Sequence, residues 1–401
     1  MTASDPSPAL PTWTEQLRLL DPVVDNLVAK WRPDGATPDE VQDMTKLVLS
    51  ILSEGYLCHV YSDPSRPVFM PHWNYAFNQG GPNPDYVYST AEVDPSGTYR
   101  LSGFRGTSRF AEITQQTWQF LSPSLITEGG SVPGSHDLDE LTLGADRSFD
   151  VILSGERPAG HEGDWWQLGP ATRRLTLRRC ACDWRNEEDA RIAIDRVDAV
   201  GTDMTPPEFA RRFSELARWI EDMITFDMDL IRYYREHHGV NELRRSSKID
   251  DMGGLPRQAY YDGIHELTDD EALILESEIP EECRYWQALV GDDRFCTVDW
   301  VNRQSSLNDL QARLDGDGRF RAVISRRDPG VPNWLDTADY PWGIIQMRFF
   351  RASWYPEPTM VKVPFAEARA HLPADTPVVT PEERREQLRA RREGAQLRRI
   401  W

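Results

Sequence analysis

Two stretches, far apart in the chain, concentrate side chains able to do chemistry. The first runs from His72 to Tyr75 and on through Gly80-Gly81-Pro82-Asn83-Pro84-Asp85-Tyr86-Val87-Tyr88-Ser89, with Arg105 beyond the next strand. Each proline forces extended backbone on the residue before it, so Asn83, Asp85 and Tyr88 are expected on a stiff loop beside a strand. Such a loop loses little entropy on meeting a ligand. Arg105 would hold Asp85 ionised as a general base or orienting group, and Tyr88 would donate a proton. The competing reading is a turn in which Asn83 and Asp85 cap their own backbone while the tyrosines pack.

The second stretch brings Tyr285 and Trp286, then Arg303 and Gln304, then Asn333 and Trp334. Indole and phenol rings offer apolar area with a polar handle, the usual lining of a small-molecule pocket. Arg303, Gln304 and Asn333 would supply directional donors to a carboxylate, carbonyl or hydroxyl. Against this, aromatic residues of sandwich strands also build cores, and the arginine and amides also serve structure. Trp165-Trp166 beside Glu162 and Asp164 is a third aromatic and acidic cluster, read mainly as packing.

The elements that must position these residues follow from periodicity. Trp13 to Trp31 has apolar residues at helical spacing with Pro22 dividing it, and Thr37-Pro38-Asp39-Glu40 starts a second helix reaching about Leu57. From Tyr61 the pattern turns to short alternating segments such as 98–102, 148–153 and 174–178, which predict antiparallel strands. Residues 187–196 read as a short helical run. Thr205-Pro206-Pro207-Glu208 opens a helix extending to about His237. Residues 258 to 282 hold nine acids and no Lys or Arg, which predicts a solvated face or lid. Strands are expected again at 285–290, 320–325 and 344–350, with short helices at 364–371 and from Pro381. No repeat of 20 to 50 residues stands out.

Composition narrows the function classes. The 401 residues carry 65 acidic and 45 basic side chains, a net charge of -20 that disfavours nucleic acid and anionic membrane surfaces as partners. No stretch approaches the roughly 20 apolar residues of a membrane span, and the opening residues lack a secretory layout, so a cytoplasmic protein is expected. The five cysteines are sparse for the length, and Cys180 and Cys182 read as buried structural thiols. Phosphate-loop, dinucleotide, nucleophile-elbow and zincin motifs are absent, so no nucleotide or other cofactor is expected. The eight scattered histidines assemble no metal triad, and Asp315-Gly316-Asp317-Gly318 reads as a hairpin turn rather than a calcium loop. The segment 382–401 holds seven Arg and four Glu on an otherwise acidic body, a basic arm suited to docking on its own or a neighbouring subunit.

At these residues the sequence resembles the bacterial family named domain of unknown function 1214, often paired with domain of unknown function 1254. The likeness rests on Tyr285-Trp286, the Asp317-Gly318-Arg319 hairpin, Asn333-Trp334-Leu335 and a final strand bearing Arg348. Asn83-Pro84-Asp85-Tyr86-Val87-Tyr88-Ser89 is similar to the partner domain's Pro-Asn-x-Asp-x-x-Tyr-Ser element, with the order of Pro and Asn changed. The resemblance implies β-sandwich-like domains with accessory helices and an oligomer, and no particular reaction.

The expected fold is therefore α+β, with two antiparallel β-sandwich-like domains, an N-terminal helical pair and a long connecting helix. The expected organisation is a helical segment at 1–60, β-rich domains at 61–200 and 283–380, a helix and acidic segment at 201–282 between them, and a basic arm at 381–401. The expected site is a cleft in which the Asn83 loop faces Trp286, Arg303 and Asn333. The leading function is a nucleotide-independent hydrolase or lyase/isomerase acting on a moderately apolar small molecule. Asp85, Tyr88 and Arg105 would be catalytic, while Asn83, Tyr285, Trp286, Arg303, Gln304, Asn333 and Trp334 would bind. The alternatives are a non-catalytic small-molecule or glycan-binding protein, and a structural assembly protein. The expected partners are a small-molecule ligand and further copies of the chain in a homo-oligomer, without nucleic acid, membrane or metal.

Overall fold

In the computed structural model, residues 12–118, 121–198, 203–252 and 254–400 are described. Helices α1 (Trp13–Leu20) and α2 (Val23–Trp31) are separated at Pro22, and α3 (Pro38–Gly55) starts on a capping box between Thr37 and Glu40. Short α4 (Ser124–Glu128) precedes α5 (Pro206–Ser214) and α6 (Leu216–His237). The helix expected from Thr205 to His237 thus begins on its Thr205 cap and is interrupted at Glu215. One-turn α7 (Lys248–Asp251) and terminal α8 (Pro381–Leu397) complete the α-helices among the described residues; α3 continues as a π-helical stretch at Tyr56–Tyr61, and Leu138–Glu140 and Phe365–His371 are 3₁₀ turns.

The strands fall into two sets of nine. The first comprises β1 (Met70–Pro71), β2 (Tyr86–Glu92), β3 (Tyr99–Phe104), β4 (Phe110–Gln116), β5 (Ser135–Asp137), β6 (Ser148–Ser154), β7 (Asp164–Gln167), β8 (Arg174–Cys180) and β9 (Arg191–Arg196). The second comprises β10 (Glu242–Ser246), β11 (Gln258–Glu266), β12 (Glu271–Ser277), β13 (Cys283–Val290), β14 (Ser306–Asn308), β15 (Phe320–Ser325), β16 (Trp334–Asp336), β17 (Trp342–Ala352) and β18 (Thr359–Pro364). The first set forms a five-stranded sheet, order β1-β2-β8-β4-β5, and a four-stranded sheet, β7-β6-β3-β9. The second set forms β10-β11-β17-β13-β14 and β16-β15-β12-β18. Every strand number in the second set is nine higher than its counterpart in the first. The correspondence extends to the parallel pairs, β6 with β7 and β15 with β16. The chain is α+β and contains the same nine-strand sandwich twice, a repeat far longer than the periods searched for in the sequence.

One local expectation is corrected and another is narrowed. Residues 191–196 are a strand rather than a helical run, because Ile192 and Ile194 alternate at period two and pack against the first core. The acidic run 258–282 is not a lid, since it supplies β11 and β12 to the second sandwich, but its acids other than the buried Asp262 do present the solvated face expected. Its acids are met from neighbouring strands: Glu276 by Arg319 and Arg321, Glu271 by Lys362, and Asp269 by Arg326.

Each set closes on its own core. Leu101, Val151 and Leu153 of the four-stranded sheet meet Ile113, Leu175 and Leu177 of the five-stranded sheet in the first. In the second, Leu273, Phe320 and Ile324 meet Trp286, Ile345 and Phe349. The outer faces of the two five-stranded sheets then meet each other through Tyr86, Tyr88, Phe110 and Cys180 on one side and Tyr285 and Phe350 on the other. Beside this contact α6 packs on the second sheet, with α2 and α3 packed on α6, in one apolar cluster that includes Ile264, Leu289 and Ile344. None of the described helices is long and apolar enough to cross a membrane.

His265 on β11 is fully buried and its Nε2 lies 3.2 Å from the Gly291 carbonyl, which fixes that nitrogen as the donor of a neutral ring. Burial lowers its pKa to about 4. Because the folded value lies below the unfolded one, the stability tied to this neutral imidazole is complete above roughly pH 6.5 and is lost as pH falls through about 4. The ring resonances of His265 are expected to show no titration step between pH 7 and 5; a midpoint near 6.5 by NMR would contradict this.

Candidate functional site

Asp85 enters the fold just before β2 and is buried where the two sandwiches join. Its Oδ1 accepts from Trp184 Nε1 at 2.8 Å and from Asn308 Nδ2 at 2.7 Å, and its Oδ2 accepts from the Tyr285 hydroxyl at 2.6 Å. Asn83 Nδ2 donates to the same hydroxyl at 2.8 Å. Burial raises the Asp85 pKa and outweighs the three donors, which act to lower it. The carboxylate is fully engaged by side chains of both halves, so it acts as a tie between them and has no oxygen left for a ligand. Asn83, Asp85 and Tyr285 are thus brought together across 200 residues of sequence.

The remaining candidates lie elsewhere. Arg105 does not reach Asp85: it follows β3 in the four-stranded sheet, where its Nε meets Asp139 Oδ1 at 2.6 Å and its Nη2 meets the Ser108 carbonyl at 3.0 Å. Trp286 is in the second core, packed on Phe320 at 4.9 Å between centroids. Arg303 pairs with Asp336 at 3.1 Å. Gln304 donates to the carbonyls of Pro332 and Trp334 at 2.9 and 2.8 Å, and Asn333 donates to those of Arg313 and Arg321 at 2.7 and 2.8 Å. Trp334 gives its indole N–H to the Ser325 carbonyl at 3.1 Å. These groups hold the β14–β16 edge together and face no shared cleft with Asp85, because their polar atoms are taken up by backbone carbonyls and by Asp336 and Arg384.

Tyr88 leads to a different place. A cavity of about 90 Å³ lies where the two five-stranded sheets and α6 converge. The first sheet contributes Tyr86, Tyr88, Gln116 and Arg178, and the second Gln258, Tyr260, Gln346 and Arg348. Trp73, Trp118, Leu121, Phe226, Leu230, Ile249, Met252 and Phe295 form the apolar part of the wall. Trp73 and Phe295 adopt left-handed backbone, at φ 38° and 64°, which non-glycine residues hold only when the surroundings impose it. At Gly81, with φ 59°, a Cβ would lie 2.8 Å from Gln346 Oε1, so only glycine lets this loop run so close to the second sheet.

The polar groups of the cavity are arranged as donors. Tyr86 donates to Gln258 Oε1 at 2.8 Å, and Gln346 Nε2 donates to Asp262 Oδ1 at 2.6 Å. Arg178 Nη1 donates to Thr114 Oγ1 at 2.7 Å, and Arg348 Nη2 to the Gly81 carbonyl and Gln346 Oε1, both at 3.0 Å. Both guanidiniums are buried, at 5 % and 6 % exposure, and neither is paired with a carboxylate among the described residues. Arg348 Nε has no hydrogen-bond partner among the described residues. Burial raises the Asp262 carboxyl, and the nearby Asp227 carboxyl well above its usual range, which weakens both as counter-charges. It also raises the phenols of Tyr86, Tyr88 and Tyr260, so they are neutral at neutral pH.

Sequence reasoning passed over Arg178, Tyr260 and Gln346 as site residues. The signal that could have found them is an arginine in the polar phase of a strand whose other phase is apolar, as at Arg178 and Arg348. Other arginines have that same pattern on solvated faces, so the signal alone is weak.

Comparison with known proteins agrees with the fold and is silent on activity. Residues 265–353 match the family described as "Protein of unknown function (DUF1214)", which includes Tyr260's neighbouring strand β17 and Arg348. The likeness read at Asn83–Ser89 lies outside that match. A crystal structure of an uncharacterized protein from Burkholderia cenocepacia superposes with a TM-score of 0.79 at 25% identity, covering 88% of this chain and 97% of that one. A Vibrio parahaemolyticus protein aligns over 86% of this chain and 100% of its own at 11% identity and a TM-score of 0.44, too distant to argue from. No curated protein matches.

Proposed function

We propose that this chain binds a small anionic molecule in the cavity between its two sandwiches. The observation that carries the reading is the pair of buried guanidiniums, Arg178 and Arg348, neither bonded to a carboxylate among the described residues. A buried charge without a partner is costly by several kcal/mol, and a bound anion offsets that cost while the surrounding apolar wall excludes water. The size supports a compact ligand or head group: about 90 Å³ compares with roughly 150 Å³ for an engineered cavity that accepts benzene. A catalytic use of the site, as a hydrolase or lyase/isomerase moving a proton, is favoured by Tyr88 and Tyr260, whose neutral hydroxyls line the cavity.

The test is thermal stabilisation of the full chain by acetate and inorganic phosphate, with uncharged acetamide as the control. Either anion should raise Tm in a saturable way, acetamide should not, and Arg348→Gln should reduce the response. Equal stabilisation by acetamide, or an undiminished anion response in Arg348→Gln, overturns the reading.

A further inference from the structure

Strand for strand, β2 and β8 of the first sandwich correspond to β11 and β17 of the second. On the first pair Tyr88 lies directly opposite Arg178, and on the second Tyr260 lies directly opposite Arg348. The match continues in detail. The Arg178 guanidinium stands 6.0 Å from the centre of the Tyr88 ring, and that of Arg348 5.8 Å from the centre of the Tyr260 ring. Each phenol oxygen accepts a backbone N–H from the residue five positions earlier, Asn83 at 3.2 Å and Leu255 at 2.8 Å, which leaves each hydroxyl proton free to donate. The cavity therefore holds the same two-residue device twice, once from each half.

Resting on the anion-site reading above, we propose that the ligand is a compact dianion, with one negative group met by each Tyr–Arg pair. Two buried positive charges call for two negative ones. The acid nearest Arg178 by register, Glu112 on β4, is engaged by Ser135 and Arg351, and the corresponding position opposite Arg348 is the neutral Gln287. Asp262, diagonal to Arg348 across β11 and β17, is held by Gln346 and raised by burial, so no carboxylate is bonded to either guanidinium among the described residues. The small volume limits the spacer between them, so the ligand class is a short dicarboxylate or a doubly charged inorganic oxyanion.

Isothermal titration of the full chain at pH 8 with malonate, inorganic phosphate and acetate separates the possibilities. Malonate is expected to bind at least about tenfold more tightly than acetate, since the second charge-assisted contact is absent for the monoanion. Arg178→Gln and Arg348→Gln should each reduce the malonate preference to near unity, while Arg178→Lys and Arg348→Lys, which keep the charge, retain part of it. Phosphate equal to or tighter than malonate also supports a dianion site and assigns it to an inorganic oxyanion. Acetate binding as tightly as both dianions overturns the dianion proposal and leaves the anion site standing. Failure of all three to bind overturns both. The wild-type comparison decides the matter even if a glutamine variant misfolds.

Discussion

Deleting residues 381 to 401 is expected to lower Tm by on the order of 10 °C and to remove cooperative unfolding of the two sandwiches as one unit. Helix α8 and the residue after it set three arginines against the rest of the chain, Arg384 and Arg398 buried and Arg391 half-buried. Arg384 meets Asp328 at 2.9 Å, Gln304 Oε1 at 2.6 Å and the Val331 carbonyl at 2.6 Å, all in the second sandwich. Arg391 donates to the Trp300 carbonyl and to Ser306 Oγ, both at 2.6 Å, and stacks over Trp184 at 4.5 Å. Arg398, just past the helix, crosses to the first sandwich, where it meets Asp189 at 2.8 Å, the Asp85 carbonyl at 2.9 Å and the Arg179 carbonyl at 3.2 Å.

The helix is thus a strap spanning the junction. Hydrogen bonds to charged groups contribute about 1.5–3 kcal/mol each, and removing the donors leaves Asp189 and Asp328 without these partners, so the loss exceeds about 5 kcal/mol even after generous discounting for non-additivity. Differential scanning calorimetry would show two separated transitions in the truncated chain. A single transition at the original temperature would show that the strap contributes nothing. The basic arm expected to dock on its own or a neighbouring subunit docks on its own chain at these three residues.

What the sequence disclosed and what it hid have one physical cause. Strand alternation located β3, β6, β13, β15 and β17 because one phase of each strand fills a sandwich core, as Leu101 and Val151 do in the first and Ile345 and Phe349 in the second. The same rule assigns the other phase to solvent. In β8 that phase is Arg174, Thr176, Arg178 and Cys180, and in β17 it includes Gln346, Arg348 and Phe350, yet every one of these residues is buried. They face another sheet rather than water, a long-range pairing that no local pattern records.

The duplication was hidden for a related reason. Equivalent strands share a position in the sheet but few residues: β2 reads YVYSTAE where β11 reads QAYYDGIHE. Topology is retained because any apolar alternation satisfies a sandwich core, whereas Tyr88 with Arg178 and Tyr260 with Arg348 keep the same residues at corresponding positions. Asp85 was legible as a special residue on a stiff loop, and its partner Tyr285 was legible too. Its role was not, because Trp184, Asn308 and Arg398 reach it from three other segments. Arg303 and Asn333 carried the right chemistry for a ligand but met the Asp336 carboxylate and two backbone carbonyls instead.

Replacing Asp85 by alanine is expected to destabilise the protein by about 3–5 kcal/mol, the range for breaking one side of a buried charged network. The alanine leaves the Trp184 N–H, one Asn308 N–H and the Tyr285 hydroxyl facing a small void with no acceptor. Asparagine is expected to cost far less, about 1 kcal/mol. Its Oδ1 can still accept from Trp184 and Asn308, and its Nδ2 can donate to the Tyr285 hydroxyl, which can turn its own proton to Asn83 Oδ1, 3.1 Å away. Chemical denaturation of the two variants reads the difference directly. The same pair separates a tie from a general base, because in Asp85→Asn the anion affinity of the cavity should be unchanged and any turnover retained. If asparagine destabilises as much as alanine, or if it abolishes turnover while leaving the fold intact, the carboxylate is doing more than joining the two halves.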